Sequence, residues 1–563
     1  MFKLDHTSLC RLATIVLLTC RGITVLAAPH ESPSGTSLGP VNREVSARLP
    51  QLVDCAAKAL GQDYSRLIWR SNQTYTDDRT GETIQDTQLP ALLSHPTNVD
   101  EVKALVTCAS RLGYKATPRN GGHHFLGYSA LNNSLVIDIA QIDYVQVAED
   151  AKTAVVGGGI RLGPLYLKLN QHQVTWPGGI CPTVGLSGYL GSGGFNMQMR
   201  QLGLGADYVI AAKVVTAEGV IVTASPSTNP DLFYAIRGGG GGSYGVVMEW
   251  TLKTVKFPRS AMLYLNWPNA TQETRVSIAR RFLDWAPYTD PALTSQINVY
   301  KDSVSVVGWY YGKTAQDLEK LVASSPLLKH SIQPAQTVVS GGCGTNNARI
   351  FGYTAFECLP DDQVDPSILN AKQHPFSAIP LPKPQTGTYP QPQFNDSVAD
   401  PSIKPAIAWE RFHRLSKSFF MLKSKPLSTP TLVRVVKAIE EQDDESQVWG
   451  EWHAWNVAKG PAPNNAFAWR DQAAAHLEFQ IHGSTDASKQ AQYKAFFKGL
   501  EDTLRGATGG ASYGGYADAG MKADPIQAYY GNNKCTLSRT KAKYDPNELF
   551  TNPLSITPNL KGC

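Results

Sequence analysis

The sequence lacks the features that mark several large classes of protein. Charged residues make up only 18% of its 563 residues, the formal net charge is +5, and no dense block of lysine and arginine occurs. Neither nucleic acid nor an anionic membrane is therefore an expected partner. No internal repeat is visible, and no set of cysteine and histidine pairs supplies the four ligands of a structural zinc site. We expect a metal-free globular protein of two to four domains.

The apolar run near the N-terminus is too short to cross a membrane. Leu12–Thr19 is soon followed by Arg21, whereas a membrane-spanning helix needs about 20 apolar residues. Basic residues precede the run, and the small-residue sequence Val25–Ala28 follows it, which is the layout of a cleaved secretory signal. We therefore predict that residues 1–28 are a signal peptide. The mature chain is expected to be secreted, or to reside in the secretory-pathway lumen, without membrane contact.

Sequons and cysteine number both agree with passage through an oxidising compartment. Asn-x-Ser/Thr sequons predict N-glycans at Asn72, Asn132, Asn269 and Asn395. Seven of the nine cysteines remain after the signal, and an odd number leaves one thiol outside any disulfide. Sequence alone allows several pairings. We predict that Cys181 is the cysteine left over, with the pairs Cys55–Cys108, Cys343–Cys358 and Cys535–Cys563.

Cys181 heads a glycine-rich segment, Cys181–Asp207. Its glycines would let the backbone press against a bound surface, and glycine tolerates positive φ, so we expect a wrapping loop rather than a helix. The segment has no Gly-Lys-Ser/Thr ending, which excludes a phosphate-binding P-loop here. From these residues alone, a glycine-rich turn beside a buried or disulfide-bonded cysteine is an equally good interpretation. The glycines are Gly185, Gly188, Gly191, Gly193 and Gly194.

Hydrophobic spacing predicts mixed helices and strands in the first half of the chain. Ordered sequence is expected from about Leu52, and a capped helix runs from Thr97 to Gly113. Short strands are predicted at 115–118 and 135–139. Gly240-x-Gly242-x-x-Gly245, which overlaps the glycine run at 238–242, formally matches a dinucleotide fingerprint. A strand rather than a helix follows it, however, which excludes a Rossmann domain.

Beyond Pro258 the pattern changes to strands with helices between them. The Pro-rich segment 374–405 indicates a surface loop or lid. Because strict βαβ alternation is absent, the predicted class is α+β. Strands are predicted at 263–267, 296–300, 304–311, 449–455 and 476–482, and helices at about 315–323 and 489–505.

Four motifs, in order along the chain, resemble one known family. They are RNGGHHFLGYS, the Cys181 segment, DLFYAIRGGGGGSYGVV, and AYYGNNK followed by KYDPNELFTNPLSI. Together they resemble the berberine-bridge-enzyme-like FAD oxidases of the vanillyl-alcohol-oxidase superfamily, relatives of the microbial oligosaccharide oxidases. The resemblance runs from about Leu52 to Ile556 and fades across residues 260–440. It implies an α+β fold with a two-part FAD-binding domain of the PCMH type and an antiparallel-sheet substrate domain with helices.

The resemblance also implies where the domains lie. After the signal, residues 29–80 are expected to form an N-terminal arm and the start of the FAD domain. Residues 81–258 would be the PCMH-type FAD-binding domain and residues 259–519 the substrate domain. Residues 520–563 would form a C-terminal segment that returns to the FAD domain. A monomer is expected.

The resemblance further implies how the cofactor is held. His123 matches a histidine that bonds the flavin 8α-methyl carbon, and Cys181 matches a cysteine that bonds C6, so bicovalent FAD is expected. A thiol and an imidazole are both nucleophiles that can add to an electrophilic carbon. Taken alone, His123 would be a turn histidine with local hydrogen bonds. Val184 stands where family members carry a small residue that admits oxygen. The other expected cofactor-binding residues are Arg119, Asn120, Gly121, Gly122, Gly185, Gly188, Gly191, Gly193, Gly194, Tyr530 and Asn532.

Proton transfer is expected from residues late in the chain. The sequence YGGYAD matches the family's Tyr-x-Asn-Tyr-x-Asp motif except that Gly515 replaces the asparagine. The resemblance implies that Tyr516 is the base and Asp518 its support, and His453 stands where related oxidases have an assisting aspartate. An unperturbed phenol has a pKa of about 10, so we expect Arg470 or His453 to supply positive charge that lowers it. A tyrosine that only packs over the flavin remains the alternative.

Two substrate classes and one non-enzymatic role fit this sequence. The leading hypothesis is an FAD-linked oxidase that takes hydride from an alcohol or amine carbon of a small molecule, as in a fungal-type secondary-metabolite step. Dioxygen would reoxidise the FAD to give hydrogen peroxide, and the altered Gly515 and His453 favour this class. Oxidation of an oligosaccharide at the reducing-end C1 hydroxyl is the alternative, favoured by Tyr516 and the tryptophan-rich segment 449–455. A flavin-carrying binding protein with degraded catalysis is the third, favoured by Gly515.

Overall fold

The computed structural model describes residues 43–84, 88–328, 332–344, 358, 413–443 and 446–563. The predicted signal peptide, the Asn395 sequon and the Pro-rich segment 374–405 lie outside these residues. Within them, the strands are β1 (Leu67–Ile68), β2 (Leu92–Ser94), β3 (Ala116–Arg119), β4 (Leu135–Asp138), β5 (Val145–Val147), β6 (Thr153–Gly157), β7 (Val209–Val215), β8 (Ile221–Ala224), β9 (Val246–Lys253), β10 (Ser260–Trp267), β11 (Leu293–Val299), β12 (Val304–Tyr310), β13 (Gln336–Cys343), β14 (His413–Leu422), β15 (Gln447–Ala454) and β16 (Ala473–Gly483).

Helices surround these strands along the whole described chain. Several begin at the residue types that cap helices, as at Asn98, whose side chain accepts a hydrogen bond from the backbone nitrogen of Glu101 at 3.0 Å. The α-helices are Arg43–Ala59, Tyr75–Arg79, Val99–Leu112, Leu162–Gln171, Leu186–Gly191, Met199–Leu202, Pro230–Ala235, Gln272–Trp285, Ala315–Ser324, Thr429–Glu440, Ala487–Thr508, Pro525–Tyr530 and Lys534–Tyr544.

Two small sheets occupy the first half of the chain. One has the order β1-β2-β4-β3, in which β2, β4 and β3 run parallel. The other has the order β5-β6-β9-β7-β8 and is antiparallel throughout. As predicted, a strand (β9) and not a helix follows the glycine run at 238–242. Separate apolar cores pack against the two sheets.

A seven-stranded antiparallel sheet occupies the second half. Its order is β13-β10-β12-β11-β15-β16-β14. Four helices cover one face and form the largest apolar core with side chains such as Leu263, Trp452 and Phe479. The opposite face carries mostly polar side chains, because residues alternate between the two faces of a strand. The predicted α+β class and the antiparallel substrate-domain sheet are confirmed.

The C-terminal segment packs back onto the first half of the molecule. Leu537 and Tyr544 join the core of the five-stranded sheet, and Phe550 joins the core of the four-stranded sheet. The buried Lys541 donates from Nζ to the carbonyl oxygens of Ser243 and Phe550, each at 2.6 Å. This ammonium thus joins the end of the chain to the glycine-rich loop before β9.

Two local expectations were wrong. A helix begins at Arg43, earlier than the expected start of order near Leu52. Leu186–Gly191 is helical, although its glycines predicted a loop. The physical reason for the second error is burial, since Leu186 and Leu190 point into an apolar core and hold one helical turn together. Gly193 and Gly194 do have the predicted positive φ, at 99° and 74°.

The predicted disulfides are confirmed, and Cys181 lies outside all of them. The first bond joins the Arg43–Ala59 helix to the Val99–Leu112 helix, where Cys55 meets Cys108. The last ties Cys535, on the Lys534–Tyr544 helix, to Cys563. Each helix among the described residues is too short or too polar to cross a membrane.

Candidate active site

A cavity of about 1180 Å³ lies between the first half of the molecule and the polar face of the seven-stranded sheet. Backbone-rich segments border one side, and we call residues 119–122, 185–191 and 238–245 the glycine wall. Side chains of β10, β11, β12, β13, β14, β15 and β16 border the other side, and we call them the sheet wall. The two walls differ in what they present to a bound molecule.

Close backbone packing fixes the first two segments of the glycine wall. A Cβ added at Gly121 would overlap the backbone nitrogen of Gly185, and one added at Gly185 would overlap Asn120. The Asn120 side chain locks the two segments by accepting from the Ser187 nitrogen at 3.0 Å and donating to the Gly159 carbonyl at 2.6 Å. Gly188, by contrast, has open space where a Cβ would be. Only glycine lets these loops approach so closely.

Arg119 has a structural position in this wall. Its guanidinium is buried, donates to Asp138 at 2.7 Å, and forms an ion pair with Asp78 at 3.3 Å. Burial disfavours the ionised form of Asp78, but His95 and Arg119 outweigh it and lower the pKa of Asp78 to about 2. Arg119 therefore borders the cavity while its charge is already balanced by two carboxylates.

His123 and Cys181 border the same cavity. The His123 Nε2 lies 2.9 Å from the Thr183 hydroxyl, and its Nδ1 lies 3.9 Å from Glu82. Burial lowers the pKa of His123 to about 4, so the imidazole is neutral and keeps a nucleophilic lone pair at neutral pH. Val184 follows three residues after Cys181 and also borders the cavity.

Three expected cofactor-binding residues lie outside the cavity lining. Gly193 packs against Phe467 and Gly194 against Tyr189, so both stand behind the glycine wall. Asn532 is exposed on the 531–533 turn. Tyr530, two residues earlier, does border the cavity.

The sheet wall is polar and aromatic. Trp449 borders the cavity and packs edge-on against His482, with ring centroids 4.8 Å apart. Trp452 and Trp455 are fully buried in apolar cores instead, so only one of the three tryptophans faces the cavity. The polar lining residues include Asn266, Gln296, Asn298, Ser305, Arg414, Glu451, His453, Gln480 and His482.

Tyr516 borders the cavity inside an aromatic cluster. Its ring lies 5.5 Å from Phe125 and 5.2 Å from Tyr513, both edge-on. Gly515 belongs to this packing, because a Cβ there would overlap the Tyr513 ring. Burial raises the pKa of Tyr516 well above 10, and the neighbouring Glu478 and Glu451 raise it further. Tyr516 is therefore a neutral phenol at neutral pH.

The groups expected to lower the pKa of Tyr516 do not do so. Arg470 donates to Asp207 at 2.8 Å and to the Ala458 carbonyl, so its charge is balanced within the first half of the molecule. Burial lowers the pKa of His453 to about 3, which leaves it neutral. The expectation of a cation-stabilised phenolate was wrong, because burial and the nearby carboxyl groups keep the proton on the phenol.

Asp518 is turned away from Tyr516. Its carboxylate pairs with Lys417, which also bonds Glu501 at 3.0 Å, and it accepts from the Gly520 nitrogen at 2.8 Å. Asp518 does not border the cavity. The structure thus brings Tyr516 and His453 together at the cavity and leaves Asp518 as a buried anchor of the loop that carries Tyr516.

Three glutamates of the site were missed from the sequence. Glu82 is buried between His123 and Arg414. Its Oε1 lies 2.8 Å from Nη1 of Arg414. Glu451 and Glu478 lie on β15 and β16, opposite each other in the strand register. A signal for the last two was present, since alternate residues of WGEWHAW and HLEFQIH are polar and must share one face of the sheet. No comparable pattern points to Glu82.

The lining fits an FAD molecule. Glycines supply backbone surface without side chains, and Gly188 leaves an open space at the cavity edge. A neutral imidazole and a cysteine sulfur border the same volume. Bound FAD would supply a two-electron acceptor at this place.

Known proteins support this interpretation of the cavity. Residues 90–225 match the FAD binding domain family, and residues 512–557 match the berberine and berberine-like family. FAD-linked oxidoreductase pynB of Aspergillus niger is 49% identical over 90% of this chain and 92% of its own length. Chitooligosaccharide oxidase of Gibberella zeae is 28% identical over 87% of this chain and 92% of its own length.

A solved structure shares the fold. Physcomitrella patens BBE-like 1 superposes with a TM-score of 0.74 at 23% identity, covering 89% of this chain and 98% of its own. At 89% coverage, the match extends over both halves of the molecule. The chain belongs to the berberine-bridge-enzyme-like family of FAD-linked oxidoreductases.

Proposed function

We propose that this enzyme is a secreted oxidase that removes a hydride from an alcohol or amine carbon of a small-molecule substrate. The observation that carries the proposal is that His123, Cys181 and Tyr516, far apart in sequence, all border one cavity. Bound FAD would accept the hydride, and dioxygen would then recover the oxidised cofactor with release of hydrogen peroxide. The protein supplies attachment, orientation and an acceptor for the substrate proton.

Two covalent bonds would hold the cofactor. His123 would bond the flavin 8α carbon through a ring nitrogen, and Cys181 would bond C6 through its sulfur. The neutral state of His123 and the position of Cys181 outside the disulfides support this assignment. Each bond replaces one hydrogen of the flavin and one of the side chain. The two electrons and two protons released per bond would pass to dioxygen as hydrogen peroxide.

The backbone of the glycine wall would hold the rest of the cofactor. Arg119 and Asn120 fix the loop shape through their buried partners. Val184 would border the path of dioxygen. Gly193 and Gly194 would support the glycine wall on the side away from the cavity, where they pack against Phe467 and Tyr189. The segments that would contact the cofactor directly contain Gly121, Gly122, Gly185, Gly188, Gly191 and Tyr530.

Tyr516 would take the proton from the substrate hydroxyl or amine at its phenol oxygen. Because this phenol is neutral, it can accept a proton only while it gives up its own. His453 would contact the same substrate group as a neutral hydrogen-bonding partner, which its depressed pKa favours. Asp518 would act only by anchoring the Tyr516 loop through Lys417.

A small molecule of the secondary-metabolite type is the favoured substrate class. The chain is more similar to the FAD-linked oxidoreductase of Aspergillus niger than to the chitooligosaccharide oxidase. His453 also replaces the aspartate expected of the sugar oxidases. Oxidation of an oligosaccharide at its reducing end is the alternative, and the polar sheet wall with the cavity-facing Trp449 favours it.

A flavin-carrying protein without catalysis is less well supported than an oxidase. Gly515 was its only argument, and Gly515 makes room for the Tyr513 ring. Gly515 therefore allows Tyr513 and Tyr516 to pack together at the cavity, and it is not evidence of lost catalysis. Secretion is supported by the three disulfides and by the exposed sequons at Asn132 and Asn269.

Anaerobic mixing with a defined panel tests the proposed function. The purified protein is combined with xylobiose, cellobiose and chitobiose in one set, and with benzyl alcohol, benzylamine and their phenolic analogues in another. Bleaching of the flavin absorption by an alcohol or amine, followed by recovery with hydrogen peroxide in air, is expected. If only the sugars bleached the flavin, the enzyme would be assigned to the oligosaccharide oxidases instead. Acid precipitation that releases all of the flavin would contradict covalent attachment.

A further inference from the structure

Two glutamates that the proposed reaction does not yet use lie beside Tyr516. Glu451 on β15 and Glu478 on β16 are directly opposite in an antiparallel register. Directly opposed residues of such a pair have Cβ atoms about 5 Å apart, on the same face. The Glu451 side chain borders the cavity, whereas Glu478, on the neighbouring strand, is fully buried and is not part of the cavity lining. The pair therefore joins a group at the cavity to one inside the protein.

The hydrogen bonds of this pair are incomplete. The Ser416 hydroxyl donates to Glu478 Oε1 at 2.8 Å. The other oxygen, Oε2, makes no hydrogen bond of good geometry within the described ranges, although the Gln480 and Tyr516 side chains are near enough to lower the pKa of this carboxyl. A buried oxygen without a partner is rare, because leaving it unsatisfied costs about 1–3 kcal/mol. The Glu451 Oε1 lies 3.4 Å from His453 Nε2.

Among the described residues, one cation acts on this pair and it is shared. Arg414, on β14, is paired with Glu82 and lowers the pKa of Glu451 in part, but burial outweighs it. The three nearby histidines are neutral, because burial lowers the pKa of His453 to about 3, that of His482 to about 2, and that of His476 well below its usual value. Two buried carboxylates side by side cannot both ionise easily. The titratable groups around the pair are Tyr300 just after β11, Arg414 on β14, His453 on β15, His476 and His482 on β16, Tyr513 and Tyr516 on the loop, and Cys181 on the glycine side.

The pair would therefore exchange a proton near neutral pH. Burial raises the pKa of Glu451 to about 7. Burial and the neighbouring Glu451 raise the pKa of Glu478 well above its usual value, with Ser416, Gln480 and Tyr516 offsetting part of the rise. A proton acceptor works best when its pKa lies near the working pH. Tyr516 itself has a pKa far too high for that task.

We propose that Glu451 and Glu478 form one proton-holding pair that receives the proton which Tyr516 takes from the substrate. This inference rests on the proposed function, because it assumes that Tyr516 meets the substrate. The substrate hydroxyl would give its proton to the Tyr516 oxygen as the phenol hydrogen moves to the carboxylate. The substrate carbon would lose a hydride, with its two electrons, to bound FAD, and dioxygen would then take up both electrons. The hydride's proton and the proton held by the pair complete the hydrogen peroxide.

Infrared titration of the FAD-loaded, full-length protein tests the pair without any substrate. A protonated carboxyl group has a carbonyl band that an ionised one lacks. We expect such a band in the parent protein at mildly acid pH, with loss of the band as the pH rises through about 7. Glu478→Gln should remove part of the band. Glu451→Gln should move the remaining loss to lower pH, because the neighbouring charge that raises the pKa of Glu478 is gone.

Tyr516→Phe links the pair to the substrate side. It should leave the band present but shift its frequency, because the carboxyl group loses a neighbouring phenol. Glu249→Gln is the matched control, since this glutamate on β9 accepts from Tyr144 at 2.6 Å outside the cavity lining. It should leave the cavity band unchanged. Identical titrations in the parent, Glu451→Gln and Glu478→Gln proteins would overturn the proposal.

Kinetics on the panel compound that the parent bleaches fastest provide the second measurement. Glu478→Gln should slow flavin reduction about 100-fold, and the rising limb of the parent pH profile should disappear. The double variant with Tyr516→Phe should be no slower than the worse single variant, because both act in one proton path. A Glu478→Gln protein with the parent rate and pH profile would refute the proton path. If no panel compound bleaches the flavin, the proposed function fails, while the infrared titration still decides whether the pair holds a proton.

Discussion

Two walls face the same cavity, and they differ in which part of the residue they present to it. The glycine wall presents backbone, and its loops touch each other so closely that a methyl group at Gly121 or Gly185 has no room. The sheet wall presents side chains, among them neutral histidines and a buried glutamate pair. Shape is thus concentrated on one side of the cavity and proton chemistry on the other.

The difference teaches where each kind of specificity resides. A cofactor that is the same throughout a family can be met by a fixed backbone, and the glycines that permit it lie in three short segments of the sequence. The sheet wall offers side chains from seven strands, spread over more than 200 residues, to a substrate. Exchanging one of these side chains should therefore change the chemistry while leaving the glycine wall in place. The following predictions separate the two walls.

Tyr516→Phe should have the largest effect, because it removes the only phenol hydroxyl assigned to the substrate. We expect flavin reduction to slow by about 10²–10⁴. Stopped-flow bleaching with the fastest panel compound measures this, and the flavin content should equal that of the parent. Phe125→Leu is the control, since it alters the ring that packs against Tyr516 and keeps the hydroxyl. Parent-like reduction by Tyr516→Phe would remove Tyr516 from the proton path.

Acid should destabilise the sheet wall first. The pKa of His453 is about 3 in the folded protein and about 6.5 when unfolded, so the unfolded state binds the proton first. Folding stability is therefore lost as the pH falls from about 6.5 towards 3, by about 2 kcal/mol at pH 5. A His453→Gln protein should lack this part of the pH dependence. Denaturant unfolding from neutral pH to pH 5 measures the difference.

Asp78 behind the glycine wall provides the opposite case. Its pKa is about 2 in the folded protein and about 4 when unfolded, so its stabilising effect is complete above pH 4. That effect is lost only as the pH falls from about 4 to 2. Asp78→Asn should therefore weaken the protein equally at pH 7 and pH 5. If the loss of folding stability caused by Asp78→Asn were already smaller at pH 5 than at pH 7, the contrast between the two walls would be wrong.

Two glycine substitutions should separate folding from cofactor loading. Gly121→Ala forces overlap with the Gly185 backbone, so we expect a loss of stability of about 1–3 kcal/mol together with a loss of flavin. Gly188→Ala meets no protein atom within 4 Å, so its unfolding midpoint should match the parent. Its added methyl group stands at the cavity edge and should lower the flavin content. Flavin-to-protein absorbance and thermal unfolding give the two readouts, and equal loss of stability in both variants would count against this division.

Cys181→Ala should have the smallest effect. With His123 still present, we expect the flavin to remain bound to protein after acid precipitation. His123→Ala should likewise keep flavin through Cys181, and only the double variant should release it all. Mass spectrometry of flavin-carrying peptides identifies the remaining bond in each case. Complete release of flavin by Cys181→Ala alone would show that His123 is not an attachment point.

Sequence revealed much of the glycine wall because its information is local. The motifs around His123 and Cys181 are contiguous, and their residues border one cavity. Even here the helical turn at Leu186–Gly191 was missed, since its stability comes from two leucines packed in a distant core. Three disulfides followed from the number of cysteines once one cysteine was set apart.

The sheet wall was less predictable because its geometry is not local. Strand positions were found, and alternation alone fixes which residues share a face. Which face meets the cavity depends on the helices that cover the other face, and these pack through tertiary contacts. The electrostatic expectation for Tyr516 failed for the same reason. Arg470 is only 46 residues from Tyr516 in sequence, but its guanidinium pairs with Asp207, which belongs to the first half of the molecule.

The bond from Lys541 to the Ser243 carbonyl has a consequence for biosynthesis. A ribosome completes the glycine loop roughly 300 residues before it completes the helix that carries this ammonium, since the two bonded residues are 298 apart in sequence. When the glycine wall leaves the ribosome, the Ser243 carbonyl oxygen therefore still lacks the Lys541 ammonium that it bonds in the finished protein. Translation at about 5–20 residues per second leaves an interval of at least 15 seconds. The cofactor pocket thus receives this last contact only after the sheet wall has been synthesised.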